Sequence, residues 1–142
     1  MIIPKFAIDT SVVVKWLLKE NEAEVGPSLE LLRLLKNGEI ALFAPHFLLV
    51  ELTNILFCKR KVTDKDIRAF VQKVAESGIN FIGGPRTEEI LDLVLKEKIT
   101  AYDAIFLGLA KEREIKLISA DKKLLEIKDW VITSSCALGM LK

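Results

Sequence analysis

The sequence has few of the side chains that disulfide frameworks, zinc sites and histidine-based catalysis require, with two cysteines and one histidine among 142 residues. Cys58 and Cys136 lie far apart in apolar stretches, which favours buried free thiols in a reducing cytoplasm over a disulfide or a zinc site. His46 follows Pro45 at the start of a predicted helix, where a surface or capping role is favoured over catalysis. Any chemistry must therefore come from other residue types.

An excess of one charge and a long hydrophobic run are also absent. Lys and Arg number 21 against 20 Asp and Glu, so the formal net charge is +1, and a nucleic acid would have to bind a local basic patch. The apolar run 40–50 is far shorter than the ~18 residues that a membrane helix needs, and the N-terminus lacks the pattern of a signal peptide. We expect a cytoplasmic protein with no membrane partner, folded as a single domain over residues 1–142.

Short apolar runs alternate with longer amphipathic stretches along the chain. The short runs predict strands at 6–8, 40–43, 79–82, 116–119 and 131–133. The longer stretches predict helices at 11–19, 24–36, 45–58, 64–76, 87–96 and 100–114, with a short helix beginning at 121. This alternation is typical of a parallel sheet covered by helices on both faces, in which ligands bind outside the carboxyl ends of the strands.

Four acidic residues lie in surroundings where an isolated acid is unexpected. Asp9 directly follows the first predicted strand, and Asp121 follows the apolar stretch 117–120. Glu51 is the only charged residue between positions 40 and 59, and Asp103 is the only one between 99 and 110. Two acids at strand ends and two on helices that open toward them can converge on one pocket.

Each of these acids also has a purely structural alternative. The alternatives are helix N-caps for Asp9 and Asp121, a capping box with Thr100 for Asp103, and an ion pair with Lys15 or Arg60 for Glu51. An N-cap role does not exclude catalysis, because an acid at the start of a helix also faces the ligand crevice.

Convergence of the acids would have an electrostatic consequence. Two carboxylates about 4 Å apart repel by roughly 4 kcal/mol at an effective dielectric constant near 20, while a whole domain is stable by only about 5–15 kcal/mol. Several acids can therefore lie together only if some are protonated or if a cation joins them. Oxygen ligands without histidine or cysteine suit Mg²⁺ or Mn²⁺, and such an ion supports phosphodiester hydrolysis.

The sequence around these acids carries a family resemblance. The acids lie in the segments IDTSVVVKW (8–16), VELTN (50–54), YDAIFLGLA (102–110) and LISAD (117–121). In this order the segments resemble the PIN-domain nucleases, and within them the VapC toxins of toxin–antitoxin pairs, from residue 6 to about residue 133. The resemblance implies a three-layer α/β/α fold with a central, mainly parallel sheet of four to five strands. It also implies endoribonuclease activity that depends on Mg²⁺ or Mn²⁺.

The resemblance further implies roles for individual residues and partners. The expected catalytic acids are Asp9, Glu51, Asp103 and Asp121, of which Asp9, Asp103 and Asp121 would be the metal ligands. The expected supporting polar residues are Ser119, Asn54, Thr10 and Ser11, and Lys15 is a candidate contact to an RNA phosphate. The implied partners are an RNA substrate, a cognate antitoxin whose peptide blocks the acidic groove, and a second copy of the chain.

Three other functions remain open from the sequence. A magnesium-dependent phosphatase of the haloacid dehalogenase type would need an Asp-x-Asp pair, whereas here Asp9 is followed by Thr10 and Ser11. A catalytically idle PIN-like binding module would be expected to lack some of the acids. An RNA-processing PIN nuclease would keep the acids but would not act as a toxin.

Overall fold

The short apolar runs of the sequence form the strands of one parallel sheet. In the computed structural model, which describes residues 2–18, 23–59 and 62–142, the strands are β1 (Lys5–Ile8), β2 (Ala41–Pro45), β3 (Asn80–Ile82), β4 (Lys116–Ile118) and β5 (Val131–Ile132). All neighbours pair in parallel, in the order β3-β2-β1-β4-β5. The central strand is apolar and buried from Phe6 to Ile8, as expected of a strand covered on both faces. The predicted α/β fold is therefore confirmed.

The longer amphipathic stretches form the helices that cover this sheet. They are α1 (Thr10–Leu17), α2 (Val25–Lys36), α3 (Phe47–Cys58), α4 (Asp64–Ala75), α5 (Thr87–Glu97), α6 (Ala101–Arg113) and α7 (Ser134–Met140), with a 3-10 turn at Leu124–Glu126. Threonine side chains cap α4, α6 and α7 by accepting a hydrogen bond from the backbone N–H three residues on. None of the helices in the described part of the chain has the length and apolarity that crossing a bilayer requires.

The predicted elements need two corrections. Pro45 does not open α3 but ends β2, where it pairs in register with Ile82, so α3 begins two residues later at Phe47. The helix α7 was not predicted, because seven residues give only two turns in which an apolar period can show. The predicted end of α1 at Lys19 lies outside the described residues.

The prediction that the cysteines are buried is also wrong. Cys58 and Cys136 are both free, as expected, but both are exposed. Cys58 is the last residue of α3 and Cys136 lies in the first turn of α7. Apolar neighbours in sequence do not reveal which side of a helix end faces solvent, and this is why the prediction failed.

The topology fixes where a ligand site can form. The order of the strands reverses at β1, which has β2 on one side and β4 on the other. Ile8 pairs with Ile118 at the end of these two strands, and the Asp9 backbone N–H donates to the Ile118 carbonyl at 3.0 Å. The residues that follow β1 and β4 therefore meet at the switch point, where parallel α/β sheets bind their ligands.

Close packing of α6 against α5 gives the first testable prediction. A Cβ atom on Gly108 of α6 would lie 2.7 Å from Pro85 Cγ and 3.3 Å from Leu93 Cδ1, whereas a Cβ atom on Gly139 of α7 would have no neighbour within 4 Å. Both positions are helical, so Gly→Ala should bring the same gain in helix propensity. We expect Gly108→Ala to be less stable than Gly139→Ala by about 1–3 kcal/mol in urea unfolding, because the rigid proline ring is overpacked. Equal stability of the two variants would contradict this packing.

Candidate active site

Asp9 lies at the centre of the candidate site, directly after β1. Its side chain is 4% exposed. Although Asp9 occupies the N-cap position of α1, its carboxylate makes no capping hydrogen bond. Instead, Oδ2 accepts hydrogen bonds from the hydroxyls of Ser11 at 2.7 Å and Ser119 at 2.8 Å. The N-cap alternative for Asp9 is therefore not supported.

The two serines are oriented by the backbone that follows β4. Ser11 Oγ accepts a hydrogen bond from the Ala120 N–H at 2.9 Å, and Ser119 Oγ accepts one from the Asp121 N–H at 3.0 Å. Since a hydroxyl has a single proton, each serine that accepts from the backbone can direct its proton to Asp9. This network ties the start of α1 to the segment after β4. It also holds the carboxylate of Asp9 in one orientation.

The hydrogen bonds oppose the effect of burial on Asp9. Burial raises the pKa of the Asp9 carboxyl, the hydroxyls of Ser11 and Ser119 lower the pKa, and the negative charge of Asp121 raises it again. Both hydroxyls bind Oδ2, so neither serine occupies Oδ1. Asp9 is thus a buried acid with one oxygen fixed by the protein.

Glu51 lies one helical turn after Phe47 on α3. Burial raises the pKa of the Glu51 carboxyl, and the negative charges of Asp9 and Asp121 raise it further. The Thr10 hydroxyl lies close enough to lower this pKa, yet Thr10 Oγ1 is buried without a hydrogen bond of normal geometry. Among the described residues, no cation contributes to the shift of this pKa. An ion pair with Lys15 is therefore not supported as the reason why an acid occupies position 51. Arg60, the other proposed partner, lies outside the described residues.

Asp103 lies in the first turn of α6. Burial, followed by the negative charges of Asp121, Asp9 and Glu51, raises the pKa of the Asp103 carboxyl to about 6. The Asp103 N–H donates to Thr100 Oγ1 at 3.1 Å, which confirms the capping half of the predicted motif, and the Thr100 hydroxyl also lowers the pKa of Asp103. Capping therefore involves the backbone of Asp103, while its carboxylate is available to the site.

Asp121 both caps a turn and acts electrostatically on the other three acids. Its Oδ1 accepts hydrogen bonds from the backbone N–H groups of Lys123 at 2.8 Å and Leu124 at 3.2 Å, so it caps the 3-10 turn that follows. Its charge nevertheless raises the pKa values of all three other acids. The structure thus brings the four predicted acids into one electrostatically coupled cluster.

The cluster is not a preformed cage for an ion. Among the described residues, no three His, Cys, Asp or Glu side chains are close enough to hold an ion by themselves. Mg²⁺ in proteins often keeps several waters and is bound through one or two carboxylates, so an open arrangement suits it better than zinc. The donor set is entirely oxygen, and Thr10 Oγ1 is a buried oxygen still in need of a partner. These features fit a hard, hydrated divalent cation.

The remaining predicted residues have varied positions. Asn54 is exposed, and its side-chain oxygen accepts a weak hydrogen bond from the Cys58 thiol at 4.0 Å. Lys15, the candidate contact to an RNA phosphate, is only 8% exposed. His46 is exposed and stacks on Phe81 with ring centroids 5.9 Å apart, in agreement with a surface role. Arg60 and Lys61, the basic residues that follow Lys59, lie outside the described residues.

An aromatic stack beside the acids was not predicted. Tyr102 and Phe47 lie with their ring centroids 5.4 Å apart and their planes 7° from parallel. The available signal was the position of Tyr102, the only tyrosine of the chain, directly before Asp103. Sequence alone could not show that α3 supplies the second ring.

The chain matches one family model, and its fold matches solved structures. The PIN domain model covers residues 6–129. The crystal structure of PAE2754 from Pyrobaculum aerophilum is 19% identical with a TM-score of 0.72, and the alignment covers 98% of this chain and 95% of that one. VapBC2 from Rickettsia felis, bound to a DNA fragment from their promoter, is 18% identical with a TM-score of 0.64 and coverages of 91% and 98%.

A toxin–antitoxin complex from Klebsiella pneumoniae gives similar values, with 19% identity, a TM-score of 0.59 and coverages of 91% and 97%. No curated protein sequence matches the chain. At such low identities the structural matches show a shared fold, and the chemistry must be argued from the acids.

The raised pKa of Asp103 predicts how stability depends on pH without metal. A carboxyl whose folded pKa of about 6 exceeds its usual 3.8 destabilises the fold increasingly as pH rises from 3.8 to about 6, and fully above that. In EDTA we expect Asp103→Asn to stabilise the protein at pH 8 by about 1 kcal/mol, after allowing for solvent screening of a half-buried group. The gain should vanish near pH 4.

Urea unfolding at several pH values would measure this effect. The control is Asp92→Asn on α5, since Asp92 is exposed and should not change the pH profile. A stability loss for Asp103→Asn at pH 8 would instead identify the Asp103 carboxylate as a structural group.

Proposed function

The chain belongs to the PIN-domain family, whose members are generally nucleases, and we propose that it is an endoribonuclease dependent on Mg²⁺ or Mn²⁺. The observation that carries the proposal is the coupled cluster of Asp9, Glu51, Asp103 and Asp121 at the switch point of the sheet. Three of these acids have raised pKa values, and each of the three is raised in part by the charge of other members. Such a cluster is typical of a site that binds a divalent cation.

The acids would share the work of holding the ion. Asp9, Asp103 and Asp121 are proposed as ligands, either directly or through ordered waters. Water-mediated contacts are expected for part of the set, because the side chains are not arranged as a closed cage. Glu51, which the Thr10 hydroxyl faces, would ligate the ion or orient the attacking water.

The reaction proposed is in-line attack of a water on an RNA phosphate, which forms one P–O bond and breaks the P–O bond to the ribose oxygen that leaves on the opposite side. A bound divalent ion would supply a lower pKa for the water and would neutralise the phosphate charge. Asp9 stays oriented because Ser11 and Ser119 both donate to its Oδ2. Burial and the neighbouring acids raise the pKa of Glu51, which makes this carboxylate a stronger base than an exposed glutamate.

The first alternative, a small-molecule phosphatase, is not favoured by the site. Its Asp-x-Asp pair would place a second carboxylate at position 11. In this chain Ser11 occupies that position and donates a hydrogen bond to Asp9. A catalytically idle binding module is also disfavoured, since all four expected acids are present and coupled.

The toxin assignment rests on the solved neighbours and on the exposed surface. Two of the similar structures are described as a toxin–antitoxin complex and as VapBC2, so a partner antitoxin is proposed for this chain. On the surface of α3, Val50 and Phe57 are exposed apolar side chains. A groove of about 570 Å³ lies between α3 and α4, with Phe57 and Ile67 in its walls. An antitoxin peptide and a second copy of the chain, acting in the cytoplasm, are the proposed partners.

Replacing Asp9 tests the proposed function directly. We expect Asp9→Asn to reduce metal-dependent cleavage of RNA by more than about 100-fold, because loss of a ligand should exceed the roughly 10–100-fold effect of outer-shell changes. Its melting temperature in EDTA should be equal or higher, since a buried negative charge is removed. Cleavage of defined RNAs in Mg²⁺, Mn²⁺ or EDTA measures the effect, with the exposed Asp92→Asn as control. Full activity of Asp9→Asn would refute the assignment.

Replacing Ser119 tests whether the hydroxyl network supports the ion. Ser119→Ala removes a donor to Asp9 and an acceptor for the Asp121 N–H, so we expect roughly 10–100-fold weaker Mn²⁺ binding by calorimetry. The control is Ser134→Ala, which disturbs another buried serine pair, Ser134 with Ser28 at 3.1 Å. Equal Mn²⁺ affinity in the two variants would show that the Ser119 hydroxyl does not support binding of the ion.

A further inference from the structure

The ring of Tyr102 stacks on Phe47 and yet remains largely exposed. Phe47 covers one face in a nearly parallel stack at 5.4 Å, and Phe47 in turn packs at 59° and 6.3 Å against Phe106, which is 1% exposed. Tyr102 nevertheless has 59% of its surface exposed. The three rings therefore form a ladder that begins in the core and ends in solvent.

The ladder lies beside the acid cluster. Phe47 precedes Glu51 by one turn on α3, so the two side chains share a face of that helix. Tyr102 directly precedes Asp103 in the first turn of α6. Since Glu51 and Asp103 are electrostatically coupled, the stacked rings stand where α3 and α6 approach each other at the carboxyl edge of the sheet.

The chemistry of the site explains what such a ring can contribute. The cluster is negatively charged and the net charge of the chain is only +1, so attraction for phosphates supplies little affinity by itself. Stacking of a nucleobase on an aromatic face does not depend on charge and accepts any base. It requires an unpaired base, because the bases of a duplex are covered by their neighbours.

We propose that the open face of Tyr102 binds an unpaired nucleobase of the substrate next to the acid cluster. The inference rests on the proposed nuclease function and adds to it a residue that contacts the substrate outside the acid cluster. Phe47 acts as a positioning residue that keeps the Tyr102 ring in place.

Substitutions at position 102 separate stacking from general apolar contact. For cleavage of a single-stranded RNA, Tyr102→Ala should raise KM roughly tenfold while kcat changes less than about threefold. Tyr102→Phe and Tyr102→Trp should keep KM within about twofold of the unsubstituted chain, and Tyr102→Leu should behave like Tyr102→Ala. Leu95→Ala is the matched control and should leave KM unchanged, since Leu95 is a 64% exposed apolar residue on α5, a helix that carries none of the four acids.

A binding experiment provides a readout that does not depend on cleavage. The Asp9→Asn chain is mixed with single-stranded RNAs that carry 2-aminopurine, a base whose emission falls when it stacks, at successive positions. One position should be quenched on binding, and adding Tyr102→Ala should remove that quench. Equal emission with and without Tyr102 would overturn the proposal.

The outcomes distinguish this inference from the nuclease proposal. Absence of RNA cleavage by the unsubstituted chain in both metals counts against the nuclease, whereas the quench still reports on Tyr102. An unchanged KM for Tyr102→Ala overturns the stacking role. Full rescue by Tyr102→Leu also overturns it, because an aliphatic side chain has no aromatic face on which a base can stack.

Discussion

The site depends on a single arrangement, a buried carboxylate held by two hydroxyls from different parts of the chain. Ser11 and Ser119 both donate to Asp9 Oδ2, and both accept from the backbone that follows β4. Parallel pairing of β1 with β4 makes this possible, because it brings the ends of two strands that are remote in sequence to the same edge. Without these bonds, a carboxylate that is 4% exposed would be costly to keep ionised.

The acids differ in how the fold treats them, and the differences suggest a division of labour. Burial raises the pKa of both carboxyls, but Asp9 is buried with the hydroxyls of Ser11 and Ser119 supporting its charged form, whereas Asp103 is half-buried and has a pKa of about 6. One carboxylate oxygen of Asp121 accepts the hydrogen bonds that cap a turn. The cluster can therefore exist without metal by holding protons, and binding of a divalent ion would release them.

Much of this arrangement could be predicted from the sequence, for a physical reason. Glu51 and Asp103 were recognisable because a lone acid among apolar residues must have a compensating partner, and Asp9 because acids after buried strands lie at the ligand edge. The fold followed from the alternation of apolar runs. The catalytic and metal-binding roles of these acids remain proposals, whereas the structure shows that the acids are electrostatically coupled.

What could not be predicted depends on contacts between distant segments or on the orientation of a helix end. The bond from Ala120 to Ser11 joins residues 109 positions apart, and no local pattern indicates it. The exposure of Cys58 and the pairing of Tyr102 with Phe47 are set by the way helices rotate against the core. Periodicity fixes which residues share a face, but it does not fix what that face meets.

Helix N-termini at the same edge of the sheet offset part of the negative charge of the acids. The free energy of this effect is smaller than the repulsion between two close carboxylates. The helices α1 and α6 both begin beside the acids, and each N-terminus stabilises a nearby anion by about 0.3–1 kcal/mol. Repulsion between two close carboxylates is several times larger, roughly 4 kcal/mol at an effective dielectric constant near 20. Asp103 makes the comparison concrete, because its pKa remains raised to about 6 although it lies in the first turn of α6. Backbone dipoles and hydroxyls thus offset part of the repulsion within the cluster, and the remaining negative charge is what a divalent cation would neutralise in the proposed function.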